Sequence, residues 1–324
     1  MKIHPIIIIA LIVLALFSLV SIFHAYSFTH PVREEGWSFK PKNGMNLTID
    51  EKGEALVFGI RPIRGSSAET PSEKKLAYEE VAFKSRDGLN ISGWYIPARN
   101  SKGAVLLVHG YYKNKAAMLD YAQFLNENGY DTLSIDLRGS GQSEGEYVSM
   151  GHYERLDVLG AADYLKSRPD YNQKKLFGFG LSLGAAALVF AEDQEHSFDA
   201  LILDSCFTNV HDNVARRFQK VYGLPKFPFA TSLTFFGGLI LNVDGFSISP
   251  ENSLRRIHIP VLVIQSSEDD SVSVEDGERL FNHANDPKLF LLIAGANHAK
   301  GLEKDPQRYQ KTVNEFLEVN RSHP

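Results

Sequence analysis

The sequence has one cysteine, no surplus of positive charge and none of the common metal- or phosphate-binding signatures. Cys206 alone cannot close an internal disulfide, so cysteine usage does not decide the redox compartment. Lys and Arg number 34 against 39 Asp and Glu in 324 residues, a formal net charge of −5. Such a chain lacks the cationic excess that contact with a phosphate backbone needs, and no nucleic-acid partner is expected. There is no HExxH, no pair of cysteines, no cluster at ligand spacing and no GxxxxGK[ST], so no metal and no cofactor is expected either. Internal repeats and low-complexity tracts are also missing. What remains is ordinary for a folded protein: 44% hydrophobic and 23% charged residues, enough for one large domain or two small ones.

One stretch departs from that average. Pro5 to Phe23 (PIIIIALIVLALFSLVSIF) carries no charge, and Ser18 and Ser21 are its only polar side chains. As a helix, these 19 residues reach about 28 Å, close to the roughly 30 Å hydrocarbon core of a bilayer. The run reads as a retained transmembrane anchor over residues 1–27, with a signal peptide ending near Ala25-Tyr26-Ser27 as the rival. Lys2 precedes the run, while Arg33, Lys40 and Lys42 follow it, so the charge bias is weak. The short amino-terminal tail favours a signal anchor with the rest of the chain on the extracytoplasmic side. Residues 28–76 read as a membrane-proximal linker with a short strand at Ala55–Ile60.

Beyond the linker the periodicity sharpens. Tyr78–Lys84 and Leu89–Pro97 are strand-like, and the Asp87-Gly88 step between them signals an antiparallel hairpin. Short Val/Ile/Leu runs then alternate with amphipathic segments. Strands are expected at Ala104–Val108, Thr132–Ile135, Lys175–Phe179, Ala200–Leu203, Val261–Gln265 and Leu289–Ile293. Helices are expected at Lys115–Asn128, His152–Ser167, Leu183–Glu192, Val274–His283 and near Arg308–Val319. Buried strands alternating with helices mean a parallel sheet covered on both faces: an α/β, doubly wound fold over residues 77–320. The aromatic stretch within Phe207–Ile259 reads equally as a connecting helix pair or as a small cap.

Gly180-Leu181-Ser182-Leu183-Gly184 lies between an expected strand and an alanine-rich helix, and it matches the GxSxG nucleophile elbow. Small residues two before and two after the serine let strand and helix backbones approach, and the helix amino terminus favours developing negative charge beside it. A second match, Gly141-Gln142-Ser143-Glu144-Gly145, is separated from its strand by Arg138-Gly139-Ser140 and precedes no small-residue helix, so Ser143 reads as a turn residue. The same strand–turn–helix also offers a loose dinucleotide fingerprint, Gly178, Gly180 and Gly184 with Asp204 beyond, but its spacing is GxGxxxG and it falls in the third βα unit. An NAD(P)-dependent oxidoreductase is thus a competing enzyme reading, and a catalytically silent binding protein is another.

A serine nucleophile needs a base and an orienting acid, expected later in the chain as acid, then histidine. Asp269 or Asp270 follows one buried strand and His298 follows the next. All three groups therefore sit at carboxyl ends of strands, the rim where parallel sheets hold their chemistry. Backbone N–H groups of Leu183 and Tyr111, the latter after His109-Gly110, are the expected oxyanion donors, and His109 reads as structural.

These ordered features, Val108-His109-Gly110, Asp136 to Gly145, Gly180 to Gly184, Asp269 with Val272 and Ala296-Asn297-His298, resemble the α/β-hydrolase superfamily over about Ala77 to Glu318. Within it the chain is similar to membrane-anchored BEM46-like and serine aminopeptidase-like hydrolases with a small cap. The resemblance implies nucleophile Ser182, acid Asp269, base His298 and oxyanion donors Tyr111 and Leu183. It implies hydrolysis of a carboxylic ester or thioester, with a serine peptidase as the alternative. The partners it implies are a small acyl substrate or short peptide, and a lipid bilayer at residues 5–23. Gln265-Ser266 departs from the pair that relatives commonly carry, and Tyr111-Tyr112 replaces a glycine-rich oxyanion loop, implying a narrower, more aromatic acyl pocket.

Overall fold

A computed structural model describes residues 4–32, 48–59, 64–65, 69–171 and 174–321. The chain divides into two compact units, one made of residues 1–63 with 210–247 and the other of 64–209 with 248–324.

The larger unit contains an eight-stranded sheet in the order β1-β2-β4-β3-β5-β6-β7-β8. Its strands are β1 (Glu79–Lys84), β2 (Asn90–Ile96), β3 (Ala104–Val108), β4 (Asp131–Ile135), β5 (Leu176–Leu181), β6 (Ala200–Asp204), β7 (Val261–Ser266) and β8 (Lys288–Ile293). β2 runs antiparallel to both β1 and β4, and every pairing from β4 through β8 is parallel. The expected hairpin thus opens an otherwise parallel sheet.

Both faces of the sheet are covered, which is why β3, β5, β6 and β7 are continuous apolar runs rather than alternating ones. On one face Val105, Leu107, Phe177, Phe179, Ile202 and Ile264 form a single core with residues of α3 (Leu119–Glu127) and α11 (Pro306–Arg321). The alternate residues of the same strands face α4 (Glu154–Ser167) and α5 (Leu183–Gln194), whose glycines and alanines let helices lie close to the sheet. Gly160 in α4 is one such point, since a Cβ there would sit 2.4 Å from the Lys84 carbonyl oxygen. The remaining helices of this unit are α8 (Pro250–Leu254), α9 (Val274–His283) and α10 (Gly301–Lys304).

Strand order fixes where chemistry can occur. The connection after β3 leads to β4 on one side of it, and the connection after β5 leads to β6 on the other, so the loops at the carboxyl ends of β3 and β5 diverge. That divergence opens a crevice at the switch point of the sheet. Residues 109–111 and Ser182 border it.

The smaller unit contains α1 (Pro5–Thr29), α2 (Ile49–Phe58), α6 (Val210–Tyr222) and α7 (Thr231–Leu241). The strand expected at Ala55–Ile60 does not form: Ala55 to Phe58 belong to α2, Gly59 is its C-cap, and Ile60 lies outside the described residues. The reason is local. Thr48 and Glu51 make a reciprocal capping box, with the Thr48 N–H donating to Glu51 Oε2 at 2.8 Å and the Glu51 N–H donating to Thr48 Oγ1 at 3.3 Å. That box starts a helix which a short apolar run cannot redirect into a strand. The aromatic stretch after Phe207 forms α6 and α7, joined by a kinked segment at Lys226–Ala230.

Candidate active site

Ser182 stands between β5 and α5 with φ 52° and ψ −110°, a backbone conformation that non-glycine residues adopt only under constraint. Its two flanking glycines supply the constraint. A Cβ on Gly180 would lie 2.4 Å from the Ala185 nitrogen, and one on Gly184 would lie 2.2 Å from the Val108 carbonyl oxygen. Strand β5, helix α5 and the end of β3 therefore meet at distances only glycine permits. The Ser182 N–H donates to the Asp204 carbonyl at the end of β6 (2.8 Å), which holds the turn against the neighbouring strand.

Asp269 and His298 follow β7 and β8. His298 Nδ1 lies 2.8 Å from Asp269 Oδ2. The other carboxylate oxygen, Oδ1, accepts the N–H groups of Ser271 (2.8 Å) and Val272 (2.9 Å), so the acid is clamped by its own loop. Of the two adjacent carboxylates, Asp269 is the one turned to His298, while Asp270 is exposed and accepts from the Ser271 hydroxyl. A carboxylate offers no proton, so Nδ1 donates and Nε2 is left as the basic nitrogen. Gln265, one of the departures from the family pattern, reinforces the acid loop: its amide donates to the Val272 carbonyl at 3.0 Å and reaches Asp269 Oδ2 at 3.5 Å.

Tyr111 and Leu183 both line a pocket that also includes Gly110, Tyr112, Leu137 and Arg138. The rings of Tyr111 and Tyr112 lie 3.6 Å apart, giving the pocket an aromatic wall, and Tyr112 takes φ 62°. His109 has no spare nitrogen. Nε2 accepts the Leu137 N–H at 3.1 Å, so Nδ1 carries the proton and donates to the Gly110 carbonyl at 2.7 Å. Burial lowers its pKa, keeping the ring neutral.

The loop after β4 is a scaffold. The Ser143 hydroxyl donates to the Asp136 carbonyl and accepts the Ser92 N–H at 2.9 Å, so the second GxSxG match is a turn lock. Asp136 binds the buried Lys115 ammonium at 2.6 Å and the N–H groups of Lys115 and Gln142. Gly141 is required there, because a Cβ would lie 2.2 Å from Asp136 Oδ2. Arg138 is fully buried between Asp157 and Asp87. Burial opposes its charge, but the hydrogen bonds and field of those carboxylates outweigh the cost and raise its pKa.

Asp204 and Ser205 were not assigned to this site by the sequence, where Asp204 figures only as the acid of a dinucleotide pattern. Asp204 is buried and faces inward, its carboxylate accepting the Tyr309 hydroxyl at 2.6 Å and the Ser205 hydroxyl at 2.9 Å. The Ser205 oxygen in turn accepts the Ala299 N–H, directly after His298, at 3.1 Å. The turn bearing Ser182 and the loop bearing His298 are thus tied to consecutive residues of one strand end. The only sequence trace of this role is a polar Asp-Ser pair closing an apolar strand.

Burial raises the Asp204 pKa to about 6, against hydrogen bonds from Tyr309 and Ser205 that act to lower it. In the unfolded chain the group titrates near 3.8. Between those values the folded protein holds a proton that the unfolded chain has released, so stability falls as pH rises through that window and is level above it. At about 1.4 kcal/mol per unit the loss is about 3 kcal/mol. In urea unfolding across pH 4 to 7, the wild type should lose this stability relative to Asp204→Asn; parallel curves would mean that Asp204 titrates normally.

The comparisons with known proteins agree with this architecture. Residues 99–234 match the family described as Serine aminopeptidase, S33. The chain is 31% identical over 245 residues to the Bacillus subtilis protein YqkD, covering 74% of this chain and 80% of that one. It is 26% identical over 208 residues to the mouse lysophosphatidylserine lipase ABHD12, covering 61% and 49%. Among solved structures, the Pyrococcus furiosus esterase Pf2001 superposes with a TM-score of 0.68 at 24% identity, over 80% of this chain and 99% of that one.

Proposed function

The chain belongs to the α/β-hydrolase superfamily and is a serine hydrolase; from that premise we propose that it cleaves a carboxylic ester or thioester through Ser182, His298 and Asp269, in a catalytic domain spanning residues 77–320. The observation that supports this reading is the 2.8 Å bond from His298 Nδ1 to Asp269, which leaves Nε2 as the base on the same rim as the strained Ser182.

Ser182 Oγ attacks the carbonyl carbon while His298 Nε2 takes its proton. The carbonyl oxygen becomes an oxyanion facing the N–H groups of Leu183, at the start of α5, and Tyr111. Collapse of the tetrahedral intermediate breaks the bond to the leaving alcohol or thiol, which receives the proton from His298. Water then attacks the acyl-enzyme, deprotonated by the same nitrogen, and releases the acid and Ser182. Asp269 holds the imidazole tautomer and offsets the imidazolium charge in both halves.

Residues 5–23 anchor the enzyme in a bilayer, residues 28–76 link the anchor to the catalytic domain, and that domain stands on the extracytoplasmic side. In support, α1 has mean hydropathy 3.2 over its best window and leaves most of its aliphatic side chains exposed, as a lipid-facing helix does. A peptidase activity on the same machinery is favoured by the description of the matched family. A series of p-nitrophenyl esters of rising acyl length beside aminoacyl p-nitroanilides tests the choice. Turnover of the esters with little on the anilides is expected; the reverse order would assign a peptidase.

A further inference from the structure

The chain has a second long stretch without charge, and it lies against the first. From Phe227 to Val243 (FPFATSLTFFGGLILNV) there is no Asp, Glu, Lys or Arg in 17 residues. This stretch holds α7, which packs on the carboxyl-terminal half of α1. The Phe17 and Phe229 rings meet edge to face at 5.7 Å, the Ser21 and Ser232 hydroxyls hydrogen-bond at 3.0 Å, and His24 meets Tyr222. Three of the stretch's large apolar side chains are uncovered: Phe227 is 76% exposed, Leu239 62% and Phe235 50%.

The contacts with α1 give this surface a depth. Phe17 lies six residues and Ser21 two residues inside the Phe23 end of the apolar run, or about 9 Å and about 3 Å at 1.5 Å per residue. Phe229 and Ser232, which touch them, are therefore level with the hydrocarbon when α1 spans the bilayer. Helix α6 is bent by 115° from the helical stretch that follows it, so the apolar stretch turns away from α6.

We propose that α7 and the Phe227–Ala230 segment are embedded beside α1 in one leaflet of the membrane, with acyl chains covering Phe227, Phe235 and Leu239. The proposal rests on the reading of α1 as an anchor. It makes the protein an integral part of that leaflet at two places in the sequence, more than two hundred residues apart.

The test uses the full chain in vesicles of phosphatidylcholine and phosphatidylglycerol. Single variants Ile12→Cys, Phe227→Cys and Phe235→Cys each carry an environment-sensitive fluorophore; the buried native Cys206 stays unlabelled. Labelling of Ser182 by a fluorophosphonate reports that each variant is folded. Brominated acyl chains should quench all three fluorophores, and aqueous iodide should quench none of them. If position 12 is quenched by lipid while 227 and 235 are quenched by iodide, the anchor stands and the proposal fails. If 227 and 235 are shielded from both quenchers while 12 is quenched by lipid, another protein surface, such as a second copy, covers them and the proposal fails. If position 12 itself answers to iodide, the anchor reading fails and takes the proposal with it.

Discussion

Replacing Ser182 with alanine should abolish fluorophosphonate labelling and lower ester turnover by about 10⁵- to 10⁶-fold, leaving only what pre-bound geometry contributes. The loss should fall on kcat, because the substitution removes the attacking oxygen and leaves the pocket lined by Tyr111, Tyr112 and Leu183 in place. Ser143→Ala is the matched control in the other GxSxG sequence. It removes a buried hydroxyl that bridges the Asp136 carbonyl and the Ser92 N–H, so it should cost about 1–3 kcal/mol of stability while labelling at Ser182 persists. Labelling that survives Ser182→Ala, or disappears in Ser143→Ala with the protein folded, would reject the assignment of the nucleophile.

The second large effect separates two neighbouring acids. Asp269→Asn should lower kcat by about 10³- to 10⁴-fold, because an amide facing Nδ1 no longer enforces the tautomer that leaves Nε2 basic. Asp270→Asn should leave kcat close to wild type, since that side chain is exposed and bonded to the Ser271 hydroxyl. The two substitutions change charge equally at adjacent positions, so only orientation distinguishes them. A steady-state comparison in which Asp270→Asn carries the larger loss would move the acid by one residue.

The parallel sheet was legible because each strand is an apolar run bounded by helical periodicity, and β3 to β8 fall within a few residues of where those runs lie. The elbow was legible because close packing leaves a sequence trace, glycine at positions where a Cβ would overlap backbone. The Asp204–Ser205 connection was not, because its partners Tyr309 and Ala299 lie about a hundred residues away and no local pattern marks a tertiary hydrogen bond. The apolar residues at Ala55–Ile60 suggest a strand, but the Thr48–Glu51 cap lies before that run and commits the segment to α2. The aromatic stretch after Phe207 was ambiguous for another reason. An apolar helix with no polar face looks the same whether protein or lipid is to cover it.

Strand β6 bears neither the serine nor the histidine, yet the Ser182 N–H ends on the carbonyl of its last residue, Asp204, and the Ala299 N–H on the hydroxyl of Ser205, the residue after it. Two points on different loops are thus pinned to anchor positions one peptide apart. The turn that bears Ser182 and the loop that bears His298 therefore share one point of attachment, and a displacement of the end of β6 would be passed to both.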